Sequence, residues 1–240
     1  MQESLPVKNI DFPNQSLLGT QIISSKEKNI SRMDSIIKES LQKAITFPEY
    51  KEMVSQLIEE GKSTGPNQSD ELLNYSKLND RRMARLHKTL KIDEVSQNYI
   101  SNIEQGQTWI LITESWCGDA AQTTPMIHKV AELSENIDLQ VVLRDENEGF
   151  INQFLTNGNK AIPILVILDT NSNEVVGQWG PRPKTATKLV NDYKAENGGL
   201  DAQFKEDLQK WYNKDKGKDT LEDLLEVLKQ VETKNLKKVS

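Results

Sequence analysis

A chain of 240 residues with a net charge of −6 and a pI near 5.2 is long enough for one embellished domain or two small ones. Its acidity excludes general nucleic-acid binding and adsorption to anionic membrane, both of which need an excess of Lys and Arg. No apolar run approaches the ~20 residues of a membrane span, Met1 to Arg32 lack the apolar stretch of a secretory signal, and a single cysteine, Cys117, can close no internal disulfide, so a reducing cytoplasm is the expected location.

Residues 1–32 are polar, interrupted by Pro6 and Pro13, and show no sustained period. They read as a flexible extension whose removal up to Met33 should leave the melting temperature nearly unchanged. From 33 to 105 the pattern is helical, punctuated by polar turns. Asp34 to Ile45 is helix-like, and Thr46-Phe47-Pro48-Glu49 starts the next helix with a Thr cap, a proline in the first turn and a Glu placed to close a capping box. Gly61 to Asn67 ends that helix. Ser76 to Leu90 is amphipathic, with Leu78, Met83, Leu86 and Leu90 toward a core and Arg81, Arg82, Arg85 and Lys88 elsewhere. Asp93 to Gln105 reads as the last helix before a sheet.

Trp109 to Thr113 is short, apolar and rich in β-formers, which suits a strand buried on both faces. Gly118 to about Leu133 has helical spacing. Ile137 to Leu143 and the run Ile162 to Leu168 are further strands. After a turn at Asp169 to Asn173, Glu174 to Gly180 forms the second arm of a hairpin. Ala186 to Tyr193, Ala202 to Trp211 and Thr220 to Val231 follow as helices, the last with Leu221, Leu224, Leu225 and Leu228 on one side. The flanking segments are expected to dock on the sheet.

Cys117 lies in Ser115-Trp116-Cys117-Gly118-Asp119-Ala120, where a strand gives way to a helix. A thiol at a helix start meets unpaired backbone N–H groups and the positive end of the helix dipole, both of which favour thiolate, so an activated sulfur is expected. The bland alternative is a small buried hydrophobe. Asp119, in the first turn, suits the dipole but opposes a neighbouring thiolate, and capping is its expected role. His128 lies about 16 Å along the helix from Cys117 at ~1.5 Å per residue, out of reach as a base, and His87 is expected at the surface. Arg144, just after a strand, should emerge at the sheet edge that carries Cys117, either to steady the thiolate, to grip a carboxylate on a small thiol, or to pair with Asp145, Glu146 or Glu148. Two prolines, Pro181 and Pro183, should hold Arg182 outward, either as a binding lip or as surface decoration.

Trp116-Cys117-Gly118-Asp119-Ala120, with Pro125 eight residues after the cysteine and Ile162-Pro163 before an apolar strand and hairpin, resembles the thioredoxin superfamily over roughly residues 106–195. Glu114 to Gln122, Trp179 to Lys184 and the forepart with Arg82-Met83-Ala84-Arg85-Leu86 are similar to a bacterial branch of that superfamily with a helical N-terminal extension. The resemblance implies an α/β thioredoxin-like fold, a central mixed sheet flanked by helices, over 106–195. A helical extension at 33–105 and a C-terminal helical segment at 196–240 would pack on or beside it. It further implies a helix bent at Pro125, a cis Ile162-Pro163 bond facing the sulfur, and a groove shaped by Trp116, Gly118, Ile162, Pro163 and Arg182.

Two departures from ordinary thioredoxins matter. The second motif cysteine is Ala120, so the chain cannot resolve its own mixed disulfide. The buried aspartate six residues before the cysteine is Leu111. The leading expectation is therefore a monothiol thiol-disulfide oxidoreductase of cell redox homeostasis. Its Cys117 would attack protein disulfides or S-thiolated proteins and be released by an external low-molecular-weight thiol, with no bound cofactor and no metal. Against it stand a catalytically inactive protein-binding module and, last, a carrier sharing an iron-sulfur centre between monothiol subunits.

Overall fold

The computed structural model describes residues 32–239, with side chains to residue 234; the expectation for residues 1–32 lies, but for its last residue, outside the described part. The order is α1 (32–41), β1 (Ile45–Thr46), α2 (Phe47–Glu59), α3 (Asp70–Thr89), α4 (Glu94–Ser101), β2 (Gln107–Thr113), α5 (Gly118–Ala131), β3 (Ile137–Leu143), α6 (Glu148–Ile151), β4 (Ile164–Asp169), β5 (Val175–Trp179), α7 (Lys184–Asn197), α8 (Ala202–Asp215) and α9 (Lys218–Val239). The strands form a mixed sheet in the order β1-β3-β2-β4-β5, with β2 parallel to β3 and the other neighbours antiparallel. This is the mixed α/β, thioredoxin-like architecture with helical extensions.

The central strands read as continuous apolar runs because both sheet faces are covered. Side chains nonetheless alternate between two layers. Trp109, Leu111, Leu165 and Ile167 enter one core with α2, α3, α5 and α9, and Ile110, Ile112, Ile164, Val166 and Leu168 enter the other with Ile37, Phe150 and Ile151. Leu111 fills the position of the missing aspartate and is wholly buried. The turn before β5 is fixed by Asp169, whose carboxylate accepts the Asn171 and Ser172 N–H groups while Asn173 takes positive φ. Gly177 lets Val227 and Val231 of α9 approach the sheet closely, a Cβ there standing 3.0 Å from Val231.

Several boundaries differ from the sequence reading. The first helix stops at 41, not at Ile45, because Ile45 and Thr46 pair with Val141 and Gln140. Thr46 must also be extended (ψ 160°) to cap α2, where its capping box with Glu49 closes as expected. α3 begins six residues before Ser76 because Ser69 caps it, its Oγ accepting the Leu72 N–H at 3.2 Å. α4 ends at Ser101, since the Ile103 carbonyl is committed to the Asn136 side chain at 2.8 Å. Leu78 is exposed rather than in the core: α3 turns Ser76 and Asn79 inward ahead of Met83 and Leu86.

Candidate functional site

The site is built on the loop from β2 into α5, and the loop is held from outside the sheet. Ser115 Oγ accepts hydrogen bonds from the Thr64 N–H and Thr64 Oγ1, both at 3.1 Å, and lies 2.7 Å from Ser76 Oγ. The Ser115 N–H donates to Thr64 Oγ1 at 2.9 Å, and Asn79 Nδ2 donates to the Ser115 carbonyl at 2.8 Å. Arg82 in turn donates to Asn79 Oδ1. Helix α3 and the segment before it are therefore fastened to the strand-to-helix turn that presents the cysteine. Glu114 is buried beside them, its Oε1 accepting the Asp145 N–H at 2.9 Å, and burial raises its pKa.

Cys117 is the N-cap of α5. Its Sγ accepts the Ala120 N–H at 3.5 Å and donates to the Ile162 carbonyl at 3.3 Å. Ile162-Pro163 is cis, so Cys117, Ile162 and Pro163 come together as the resemblance implied, and Pro125 lies inside α5. Gly180-Pro181 is also cis. Gly180 has φ 118°, and a Cβ there would collide with the Pro163 carbonyl, so glycine is needed for the loop to lie against the sulfur-facing turn.

The expectation of an activated thiolate is corrected. Cys117 is only 9% exposed. Burial pushes the thiol up to about 12, Asp119 adds to the rise, and the Ala120 and Asp119 backbone N–H groups and Arg182 oppose it. The helix terminus acts as the sequence suggested but is outweighed by desolvation.

Two neighbours also change role. Asp119 does not cap the helix, since Cys117 occupies that position. Its carboxylate turns sideways to Arg182 Nη2 at 2.6 Å and accepts the Tyr212 hydroxyl at 3.0 Å. Burial raises the Asp119 pKa, against the pull of Arg182 and Tyr212. Arg182 does not project outward as a lip, because the buried carboxylate draws the guanidinium in; although burial opposes its charge, the pair with Asp119 raises its pKa. Arg144 stacks on the Trp116 ring at 4.7 Å and donates to Asp145 Oδ1 at 2.7 Å, giving Trp116 a cationic lid rather than a partner for the sulfur. Gly118 faces Gln209, whose Nε2 is 3.2 Å from the position a Cβ would take.

His87 is half-buried rather than at the surface, because its ring packs near Phe47 and His128, which is itself buried. The residues missed from sequence are those that fasten the loop, Thr64, Ser76 and Asn79, and those that meet the first turns of α5, Gln209 and Tyr212. Only Ser76 and Asn79 left a signal, as a polar i,i+3 pair on the face of α3 that turns apolar further along. Among the described residues no three His, Cys, Asp or Glu side chains gather to hold a metal ion, and no helix is long and apolar enough to cross a membrane.

Two solved structures are similar at the level of the chain trace. One is a protein of unknown function, PA1234, from Pseudomonas aeruginosa, at 17% identity and a TM-score of 0.46, covering 73% of this chain and 96% of that one. The other is an HIV epitope-scaffold at 18% identity and a TM-score of 0.42, covering 55% of this chain and 79% of that one. No curated protein matches. A family profile described as Thioredoxin matches residues 65–194, more than half of the chain and including α3, α4 and strands β2 to β5. The chain belongs to the thioredoxin family.

Proposed function

We propose that this chain is a monothiol thiol-disulfide exchange protein in which Cys117 is the reacting atom, its partners being protein disulfides or S-thiolated proteins. The carrying observation is the placement of the only cysteine: Sγ caps α5, within reach of the Ala120 N–H, and faces the backbone at cis Ile162-Pro163. The thiolate would attack one sulfur of a disulfide, form a Cys117 mixed disulfide and expel the other sulfur as thiolate. An external low-molecular-weight thiol would then attack the mixed disulfide and restore Cys117, since Ala120 cannot. Trp116, under Arg144, and Pro163 would flank the incoming chain.

In the resting arrangement burial raises the thiol's pKa, so exchange on the folded chain should be slow. That same observation favours a second reading, a thioredoxin-like module that binds a protein partner and does no chemistry. One experiment separates them. The folded protein and Cys117→Ser are incubated with hydroxyethyl disulfide at pH 8, followed by excess glutathione, and intact mass is recorded. The exchange reading expects one adduct on the natural chain, none on the variant, and removal by glutathione. An adduct that forms only after unfolding in urea sinks the exchange reading in favour of the binding module.

A further inference from the structure

Helix α8 lies across the first turn of α5, and its contacts there are polar. Tyr212 donates to Asp119 Oδ1 at 3.0 Å, Gln122 Nε2 donates to Gln209 Oε1 at 2.9 Å, and Arg85 of α3 donates to Asn213 Oδ1 at 2.6 Å. The apolar side of α8 belongs to neither layer of the main core. Leu208 and Tyr212 instead form a separate cluster with Ala186 and Val190 of α7, joined by Phe204 and Trp211. Left-handed residues bound the helix: Gly198 ends α7 before it, and Lys216 and Gly217 end it. Next in the chain, α9 is anchored in the main core through Leu221, Leu224, Leu228 and Val231. The segment against the first turn of α5 is thus joined to that helix by hydrogen bonds that water can replace and to α7 by a small apolar cluster, while α9 keeps its place in the main core.

We propose that α8 is a displaceable cover over Cys117, and that Tyr212 is the positioning residue through which it keeps the thiol at rest. The inference rests on Cys117 being the reacting sulfur. The groups that surround it explain how the cover works. Asp119 on α5 carries the nearby negative charge, Arg182 from the loop after β5 occupies one of its oxygens and Tyr212 from α8 the other, Arg82 of α3 lies near Gly118, and Glu114 is buried in the preceding loop. With both oxygens engaged, the carboxylate is fixed beside the sulfur and shut away from water, and the Arg182 charge is directed to Asp119. Lifting α8 admits water to Asp119 and to the turn beside Cys117, which lessens both the burial and the effect of the carboxylate on the sulfur and lets the N-terminus of α5 favour the thiolate more strongly.

The test is the rate of iodoacetamide alkylation against pH for the natural chain, Tyr212→Phe and Gln209→Ala, with Cys117→Ser as blank. Tyr212→Phe keeps the ring against Ala186 and Val190 and removes only the hydroxyl. Gln209→Ala releases a second α8 contact without touching Asp119, and it serves if the first variant fails to fold. The cover predicts a slow natural chain and variants that react about 10-fold faster at pH 8, with the alkylation midpoint lowered by about one unit. A purely structural role for Tyr212 would lower the melting temperature and leave the midpoint in place, which overturns the inference, as does a natural chain that already reacts at the rate of a free thiol. The exchange reading fails separately, if variants that alkylate quickly still form no mixed disulfide with hydroxyethyl disulfide.

Discussion

Ser115→Ala tests whether α3 truly fastens the cysteine loop. Ser115 Oγ accepts two hydrogen bonds from Thr64, which fills its acceptor positions, so its own proton goes to Ser76 Oγ. The methyl of alanine deletes all three. The Thr64 and Ser76 hydroxyls can rotate toward other partners, but the buried Thr64 N–H is stranded. One orphaned amide at about 1–3 kcal/mol and two lost hydroxyl bonds at about 0.5–1.5 kcal/mol each give an expected loss of about 2–6 kcal/mol. Ser76→Ala removes only one of the three and should cost less. Urea unfolding followed by tryptophan fluorescence, on both single variants and the double, gives the free energies directly. The double should fall short of the sum by at least ~0.5 kcal/mol, because both single changes delete the same Ser115–Ser76 bond. A loss under ~1 kcal/mol for Ser115→Ala, or strict additivity, would refute the reasoning and leave the loop fixed by the sheet alone.

Two further outcomes follow from packing and charge. Leu224→Ala, at a position 1% exposed in the main core, should destabilise the protein by about 2–5 kcal/mol in urea unfolding; a change below ~1 kcal/mol would mean that α9 is not part of the folded unit. Burial lowers the His128 pKa despite Glu132, whose Oε2 is 3.2 Å from Nδ1 but not aligned as a hydrogen bond. The unfolded chain therefore binds more protons than the folded one as pH falls below the ordinary ~6.5 of histidine, and stability should drop on acidification through that value. His128→Gln should flatten the slope between pH 7 and 5, and an unchanged slope would show that His128 does not contribute.

What could be read from sequence was whatever depends on neighbours along the chain. The apolar run and β-branching of Trp109 to Thr113, the Thr46 to Glu49 capping box and the Trp116-Cys117-Gly118 junction are local, and each lies where expected. The fate of the thiol was not local. Its acidity is a contest between the helix terminus, visible in six residues, and burial together with Asp119, whose own partner Tyr212 lies 93 residues further along the chain. Arg182 illustrates the same limit. Two prolines suggested a rigid loop, but the direction of the side chain was decided by Asp119, a buried carboxylate that needs a counter-charge. Leu78 failed for a related reason: apolar spacing placed it inward, yet α3 was rotated by two polar side chains bound to a distant loop.

Cys117 occupies a position where helices ordinarily place Ser, Thr, Asn or Asp. A hydroxyl at that site would accept the Ala120 N–H and donate to the Ile162 carbonyl, as the sulfur does, through shorter and stronger bonds. The backbone is thus indifferent to sulfur and would be at least as well served by oxygen. Cys117→Ser is then expected to keep the cap and both hydrogen bonds, so that a difference between the two proteins in alkylation or disulfide exchange reports the reactivity of the thiol.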